Sequence, residues 1–539
     1  MDTTRRYATE RYQGAASLNW YSSDPSLRAQ LRRHLGDDAL AWAEPHLVEA
    51  GALMSGLVET CARSTDRDPP RLERYDRWGH EVSEVVMPPS FETARRALVA
   101  GSFTRPGFLA EARGHGANPV ALGMAWNYLL YQADIGMGCA LGTGGDMVVL
   151  LAEAFAPADV KERVREIFAD GMFSGEAAQL LTERTGGSDL AALESVAHRA
   201  GPASDAWELT GVKWFASNAN GSAFVVMARP EAAAEIAPFL VLKERRDGSP
   251  NAISVRRLKD KLGTRSVASA EIGFSGAEAF LLAPERRSDG RGLGRMMELT
   301  NGARLGIALM GLACARRSLV ESVLYARSRE AFGRRLIDQP LMRRKLAELV
   351  VEVEAAQVLV FDGFLHRQRL TPALAKLRAA RLGVTAAGDA VEIHGGNGYI
   401  EQWPVARILR DAHVNPIWEG GDNILCLDVR RALRKGAYEE FRSRLAGLSA
   451  EVPLDDLDKT VAAWHALPDD VAEARLYPLA RYMTDVHTAA LLQDHGRPEV
   501  ARLYTERHLT DPGPLRGMDR PDDLGGFDEL LAGALTAGD

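Results

Sequence analysis

The rhythm of apolar and polar positions changes three times along this chain. Up to about residue 175 the spacing is mostly helical, with apolar side chains recurring every three or four positions in Phe91-Glu-Thr-Ala-Arg-Arg-Ala-Leu-Val-Ala and in Val160-Lys-Glu-Arg-Val-Arg-Glu-Ile-Phe. Asp68-Pro-Pro, Met87-Pro-Pro and Gly114-His-Gly-Ala-Asn-Pro supply the breaks between helices. Between about 177 and 290 short β-type runs take over, among them Ala223-Phe-Val-Val-Met-Ala-Arg, Phe239-Leu-Val-Leu and Ala270-Glu-Ile-Gly-Phe. Gly, Asn, Asp and Ser clusters separate them, which predicts a small antiparallel barrel or sandwich. Helical periodicity returns over Gly292–Arg329 and Pro340–Gln368, long segments whose apolar stripe predicts a bundle. The expected organisation is α+β: a helical N-terminal domain (1–176), a β-barrel (177–290), a helical bundle (291–436) and an acidic tail (437–539) that begins helical at Tyr438.

Composition narrows the function classes. The 539 residues are long enough to bury several cores without disulfide or metal staples. A net charge of −8 excludes an all-over basic nucleic-acid binder, although it permits a local basic patch. Cys61, Cys139, Cys314 and Cys426 form no CxxC pair, so no zinc ribbon or other metal set is expected, and their sparseness suits the cytoplasm. The polar start, Met-Asp-Thr-Thr-Arg-Arg-Tyr, does not read as a signal peptide. No run of about 18 apolar residues is expected, and hence no membrane span.

Five segments carry candidate chemistry, each weak alone. Leu181-Thr-Glu-Arg-Thr-Gly-Gly-Ser-Asp189 offers backbone N–H groups and hydroxyls suited to a phosphate, or is a plain turn. Gly211-Val-Lys-Trp-Phe-Ala-Ser-Asn218 could set a ring and a hydroxyl against a planar cofactor, or is a strand with core aromatics. In Tyr325-Ala-Arg-Ser-Arg-Glu-Ala-Phe-Gly333, Arg329 and Phe332 share a face if the segment is helical, with Gln339 following. His394-Gly-Gly-Asn-Gly-Tyr399 lets a backbone approach a ligand, with His394 itself more in keeping with a structural role. In Asn415-Pro-Ile-Trp-Glu-Gly-Gly-Asp-Asn423 the carboxylate of Glu419 sits in an apolar setting that could raise its pKa toward that of a general base.

In this order the five segments resemble the acyl-CoA dehydrogenase flavoprotein family, over about 175–436, with Leu258-Lys-Asp-Lys-Leu-Gly-Thr-Arg-Ser resembling a further barrel motif of that family. Arg74-Tyr-Asp-Arg-Trp-Gly, Lys213-Trp-Phe, Asn415-Pro-Ile-Trp-Glu-Gly, the long N-terminal extension and the tail resemble its AidB adaptive-response branch. The resemblance implies a helical domain, a central barrel, a C-terminal four-helix bundle and an extra helical tail. It also implies FAD, a homotetramer built as a dimer of dimers, an acyl-CoA or acyl-carrier thioester as substrate and an electron-accepting flavoprotein as partner. By position, Leu181 and Thr182 would face the flavin ring edge and Ser188 the pyrophosphate. Phe215, Ala216 and Ser217 would line the ring and its N5. Arg329, Phe332, Gln339, Gly395 and Gly396 would hold the adenine half across a subunit boundary, with Gly421 and Asn423 following the base.

Glu419 would take the α-proton of the thioester while a hydride leaves the β-carbon for flavin N5, and Arg304 would tune the base. Ala331, Glu392 and Gly421-Asp422-Asn423 depart from the family pattern, so hydrogen bonds to the nucleotide half are the less secure part. The alternative is a DNA-associated flavoprotein of the alkylation response with low dehydrogenase activity; a carrier-linked oxidase is a third reading. DNA binding, where it occurs, is expected to be weak, because residues 437–539 hold ten Arg and Lys against twenty Asp and Glu. The dense basic run is Arg430, Arg431, Arg434 and Lys435, with Arg407 and Arg410 upstream.

Overall fold

A computed structural model describes residues 12–142, 145–169, 171, 176–231, 235–282, 292–449, 451–514 and 526–536. The polar start at Met1–Tyr7, the boundary drawn at 290/291 and most of the Pro/Gly/Asp-rich stretch near the end lie outside the described residues. In chain order the N-terminal part runs α1 (Pro25–Leu35), α2 (Asp37–Leu53), α3 (Glu59–Arg67), β1 (Arg71–Tyr75), β2 (Glu81–Val86), α4 (Pro89–Val99), α5 (Phe108–Gly114), α6 (Pro119–Ala133), α7 (Ile135–Gly142), α8 (Gly145–Phe155) and α9 (Ala158–Ile167). Asp24 caps α1 by accepting from the Leu27 N–H, and Pro25 fills the first helical position, where no N–H is needed. The β1–β2 hairpin is a finding the helical reading missed. Its charged residues alternate at period two, but no apolar stripe marks them as strands.

The strands that follow are β3 (Ala177–Leu180), β4 (Val196–Arg199), β5 (Ala206–Ala216), β6 (Ala223–Pro230), β7 (Ala237–Leu242), β8 (Ile253–Leu258) and β9 (Ala270–Leu281). The helical part then comprises α10 (Gly292–Ser328), the two-residue strands β10 (Glu330–Ala331) and β11 (Arg334–Arg335), α11 (Pro340–His366), α12 (Thr371–His394), α13 (Pro404–Ala412) and α14 (Asp422–Arg434). It continues through α15 (Ala437–Leu448), α16 (Leu454–His465), α17 (Asp469–Ala474), α18 (Leu476–His495), α19 (Pro498–His508) and α20 (Phe527–Ala534).

These elements form two units. One comprises residues 57–109 and 134–296, the other residues 1–56, 110–133 and 297–539. The sheet of the first closes on itself through the pairings β6–β7, β7–β9, β9–β5, β5–β4 and β4–β6, with β3 extending along β6 and β8 along β9. The barrel is thus present but not purely antiparallel, because β3 and β4 run parallel to β6. Phe224, Val226, Phe239, Val241, Ile272 and Phe274 fill its interior. Ala223 and Val225 on the other face of β6 pack with Val148, Val160 and Val164 of α8 and α9. Burial on both faces explains why β6 reads as an unbroken apolar run rather than an alternating one.

The stretch Ile135–Phe155 corrects the expectation about long apolar runs. With a hydropathy of 1.6 it is long and apolar enough, by length and composition, to cross a membrane, and 60% of it is buried inside the protein. A core helix pair meets the same test.

In the second unit the tail is built in rather than appended. Buried Arg316 of α10 binds Asp24 at 3.2 Å and the Ala534 carbonyl at 2.6 Å, joining residues near both ends of the chain to one helix. Arg497 binds Glu354 of α11 at 2.8 Å and the Leu530 carbonyl at 2.9 Å. Helix α10 also meets α12 without intervening side chains. A Cβ added at Gly311 would lie 2.4 Å from the Ala379 carbonyl oxygen, and one at Gly383 would lie 2.7 Å from that of Gly311. Only glycine permits this approach.

Candidate active site

The barrel unit carries one group of the expected residues. Thr182 accepts the Trp214 N–H through its carbonyl at 2.8 Å, which ties the 181–189 turn to β5. Gly187 must be glycine, since a Cβ there would meet the Thr182 hydroxyl at 2.7 Å. Next to Trp214, Phe215 is 56% exposed, Ala216 is buried and Ser217 half-buried. Ser188 is exposed at the turn. Lys259 stands 3.4 Å over the Trp214 ring and 5.0 Å over that of Phe215.

A pair not foreseen in the sequence holds this group. Glu183 and Lys213 are both buried, and Lys213 Nζ donates to Glu183 Oε1 at 2.6 Å and to the Met227 carbonyl at 2.6 Å. The Ser195 hydroxyl and the Glu194 N–H also donate to Glu183. Burial alone would raise the Glu183 carboxyl; Lys213, Ser195 and the Glu194 N–H together hold it below its ordinary value. The only hint in the sequence is that Lys213 falls in an apolar strand.

The helical unit carries the rest. Helix α10 ends at Ser328, so Arg329 and Phe332 do not share a helical face. The chain instead turns through the β10–β11 hairpin, with Phe332 (φ 53°) and Gly333 (φ 79°) both left-handed. That corrects the helical expectation: Phe-Gly is turn chemistry, and it overrides the apolar spacing. Gln339 staples the hairpin, donating to the Ala331 carbonyl at 3.1 Å and accepting from Arg334 at 2.9 Å. Arg329 and Phe332 are exposed. His394 is structural, as read: it is buried, its Nδ1 lies 2.8 Å from the Ala390 carbonyl, and its ring stacks on Tyr325 at 4.2 Å. A Cβ added at Gly395 or Gly396 would meet no atom within 4 Å, so their backbone is open to close approach.

Glu419 follows the 413–418 turns in a left-handed conformation (φ 52°), and Gly420 continues it (φ 95°). A side chain in that region costs energy that the surroundings must offset. Glu419 is exposed as a residue, yet desolvation raises its carboxyl above the ordinary range, while the charges of Lys376 and then Arg304 pull it down. Exposure together with a crowded carboxyl fits an acid on a concave wall. Arg304 is buried on α10, where Asp428 of α14 binds it at 2.7 Å. Asp428 is shared with Arg369 at 2.6 Å. Gly421 caps α14, with Asn423 exposed in its first turn. Lys376 of α12, which sequence reasoning passed over, is fully buried, and its Nζ donates to the Gly420 carbonyl. Its one signal is a cation in the apolar run Ala373-Leu-Ala-Lys-Leu.

Family comparison agrees with this layout. The acyl-CoA dehydrogenase middle-domain model matches residues 178–277, the acyl-CoA dehydrogenase C-terminal-domain model residues 290–434, and that of the adaptive response protein AidB N-terminal domain residues 12–170. AidB of Escherichia coli (strain K12) is 31% identical over 448 residues, 78% of this chain and 79% of that protein. The chain belongs to the acyl-CoA dehydrogenase family. Acyl-CoA dehydrogenase family member 11 of Caenorhabditis elegans is 27% identical, over 82% of this chain and 75% of its own. Among solved structures, C. elegans ACDH-11 in complex with C11-CoA shares the fold at a TM-score of 0.80 and 23% identity, covering 92% of this chain and 91% of its own. Acyl-CoA dehydrogenases are FAD-dependent oxidoreductases that act on acyl-CoA. The residues present here fit that cofactor: an exposed aromatic face at Phe215 beside Ser217, and a diglycine whose added Cβ atoms would protrude into open space.

Proposed function

We propose that the chain is an FAD-dependent acyl-CoA dehydrogenase in which Glu419 is the base. The observation that carries this reading is Glu419 itself: an exposed carboxyl, raised by desolvation, on a left-handed turn facing two buried cations. An acyl thioester α-proton is weakly acidic, so the base must be strong enough near neutral pH and close to its target. Desolvation supplies base strength, and the Lys376 and Arg304 charges keep the carboxyl from being protonated outright. The Glu419 backbone N–H would donate to the thioester oxygen, where negative charge develops as the proton leaves. Leu181, Thr182, Phe215 and Ser217 would hold the flavin ring, and Arg329, Phe332, Gly395 and Gly396 the adenine half. Bound FAD would supply the acceptor for the β-hydride and hand the electrons on to an electron-accepting flavoprotein. The purified protein should be yellow, release FAD with acid, and bleach anaerobically with at least one member of an acyl-CoA panel. Released FMN, or FAD-replete protein that no acyl-CoA bleaches, would refute the reading.

A homotetramer is part of the same proposal. Phe332 is 98%, Tyr399 89% and Leu341 87% exposed, an apolar set close in sequence to the adenine-side residues. Water-facing apolar surface of this kind favours cover by a second copy. Light scattering should give a tetramer whose assembly and FAD content fall together on dilution; an FAD-replete monomer would contradict it.

The DNA-associated alternative finds little support in the charges. Arg430 binds Glu473 and Arg434 binds Asp469, both on α17, while Arg410 binds Glu401 at 2.9 Å and buried Arg407 donates to the Ala133 carbonyl at 2.7 Å. The acidic neighbours thus come from the same chain. Duplex binding should be weak at about 50 mM salt and lost by about 200 mM, the range that already separates phosphate-driven association. A mobility shift that persists at the higher salt would reverse this.

A further inference from the structure

Lys376 is placed as no surface lysine would be. It lies among buried Ala373, Leu374, Ala375, Leu377, Ala379 and Ala380 of α12, with its ammonium turned to the loop that carries Glu419. Taking an ammonium out of water is costly unless hydrogen bonds and opposite charge answer it. The Gly420 carbonyl supplies the hydrogen bond. The charges that face the ammonium are Glu419 from the loop, Arg304 from α10, Asp422 from α14 and Arg381 from α12 itself. Two of these are already matched, Arg304 by Asp428 at 2.7 Å and Arg381 by Asp422 at 2.7 Å. Glu419 and Lys376 are left to answer each other.

The anchored carbonyl belongs to the second of two consecutive left-handed residues. Such a turn persists only where its surroundings hold it. Ile424 closes one side, since a Cβ at Gly420 would lie 3.0 Å from its Cγ2. The Lys376 hydrogen bond holds the other.

Resting on the assignment of Glu419 as base, we propose that Lys376 is its positioning residue: the ammonium clamps the 419–420 turn through the Gly420 carbonyl and is the counter-charge that keeps the Glu419 carboxylate ionised. Burial brings Lys376 down to about 8, with the Glu419 charge opposing the fall, so the ammonium is charged at neutral pH. Loss of that charge removes the largest influence holding the Glu419 carboxyl down. Its protonation midpoint then moves up, by about one pH unit or more for a counter-charge this close.

Three variants separate the two roles. Lys376→Arg keeps charge and donor, Lys376→Gln keeps a donor without charge, and Lys376→Met keeps neither. FAD-loaded tetramers are mixed with a reducing acyl-CoA over a pH series. In Lys376→Gln the acid limb of flavin reduction should shift upward, leaving the rate at pH 6 at least about tenfold below the parent and largely recovered by pH 9. Lys376→Met should show the same shift with a lower plateau, and Lys376→Arg should keep the parental limb. Difference infrared spectra against Glu419→Gln give a readout independent of turnover. The protonated Glu419 carboxyl band should persist to higher pH in Lys376→Gln than in the parent. If both neutral variants keep the parental limb and the parental band, the proposal falls, whatever their rates, because a merely structural lysine would scale rates at every pH. Glu419→Gln that reduces flavin at parental rate would remove the base, and this proposal with it. An inactive Glu419→Gln beside an unshifted Lys376→Gln would remove the lysine role alone.

Discussion

Glu419→Gln should keep its FAD and lose at least about 10²-fold in the rate of flavin reduction by acyl-CoA, the low end for removal of a general base. The amide is nearly the same size and can fill the same left-handed position, so the turn, the α14 cap at Gly421 and the Lys376 contact to the Gly420 carbonyl all survive. What disappears is the acceptor for the proton. Stopped-flow absorbance of the oxidised flavin, at saturating substrate, isolates this step from acceptor chemistry. Parental kinetics in the variant would take Glu419 out of the reaction. A colourless variant would show that the turn contributes to holding the cofactor as well as the proton.

The second large effect concerns the barrel. Lys213→Met should destabilise that unit by about 3–5 kcal/mol, because it leaves the Glu183 charge buried with its ammonium partner gone. It also strips a donor from the Met227 carbonyl and frees the end of the 181–189 turn, so FAD should dissociate more readily. Replacing both partners, Lys213→Met with Glu183→Met, should recover much of the loss, since an apolar pair of similar volume avoids the buried charge. Denaturant unfolding monitored through barrel tryptophans would read the cycle. A single variant within about 0.5 kcal/mol of the parent would mean the pair carries no net charge energy at all.

What the sequence makes legible follows from how local each signal is. Strand β6, helices α10 and α11 and the turn holding Glu419 rest on runs of neighbouring residues, and each lies within a few positions of where periodicity puts it. The reading breaks where a distant partner decides. Arg329 and Phe332 leave the helix because the Gln339 amide closes a hairpin. Glu183 finds Lys213 30 residues later, and Lys376 finds Gly420 44 residues later, separations that no periodicity encodes. Arg430 and Arg434 look like a basic patch until α17 folds back with Asp469 and Glu473. The parallel setting of β3 and β4 against β6 is equally a matter of topology rather than of composition.

The glycine contact between α10 and α12 bears on how reproducibly the charges around Glu419 are spaced. Arg304 precedes Gly311, and Lys376 precedes Gly383, by the same seven residues, about two helical turns. The gap between the two cation-bearing helices is therefore gauged by main chain against main chain, a hard stop that no rotamer change can relax. Side chains farther along either helix can drift in evolution without altering the electrostatic calibration of the base. A single methyl group at either glycine would act as a wedge, prying the two helices apart and detuning the acid two turns away without touching any residue that meets substrate.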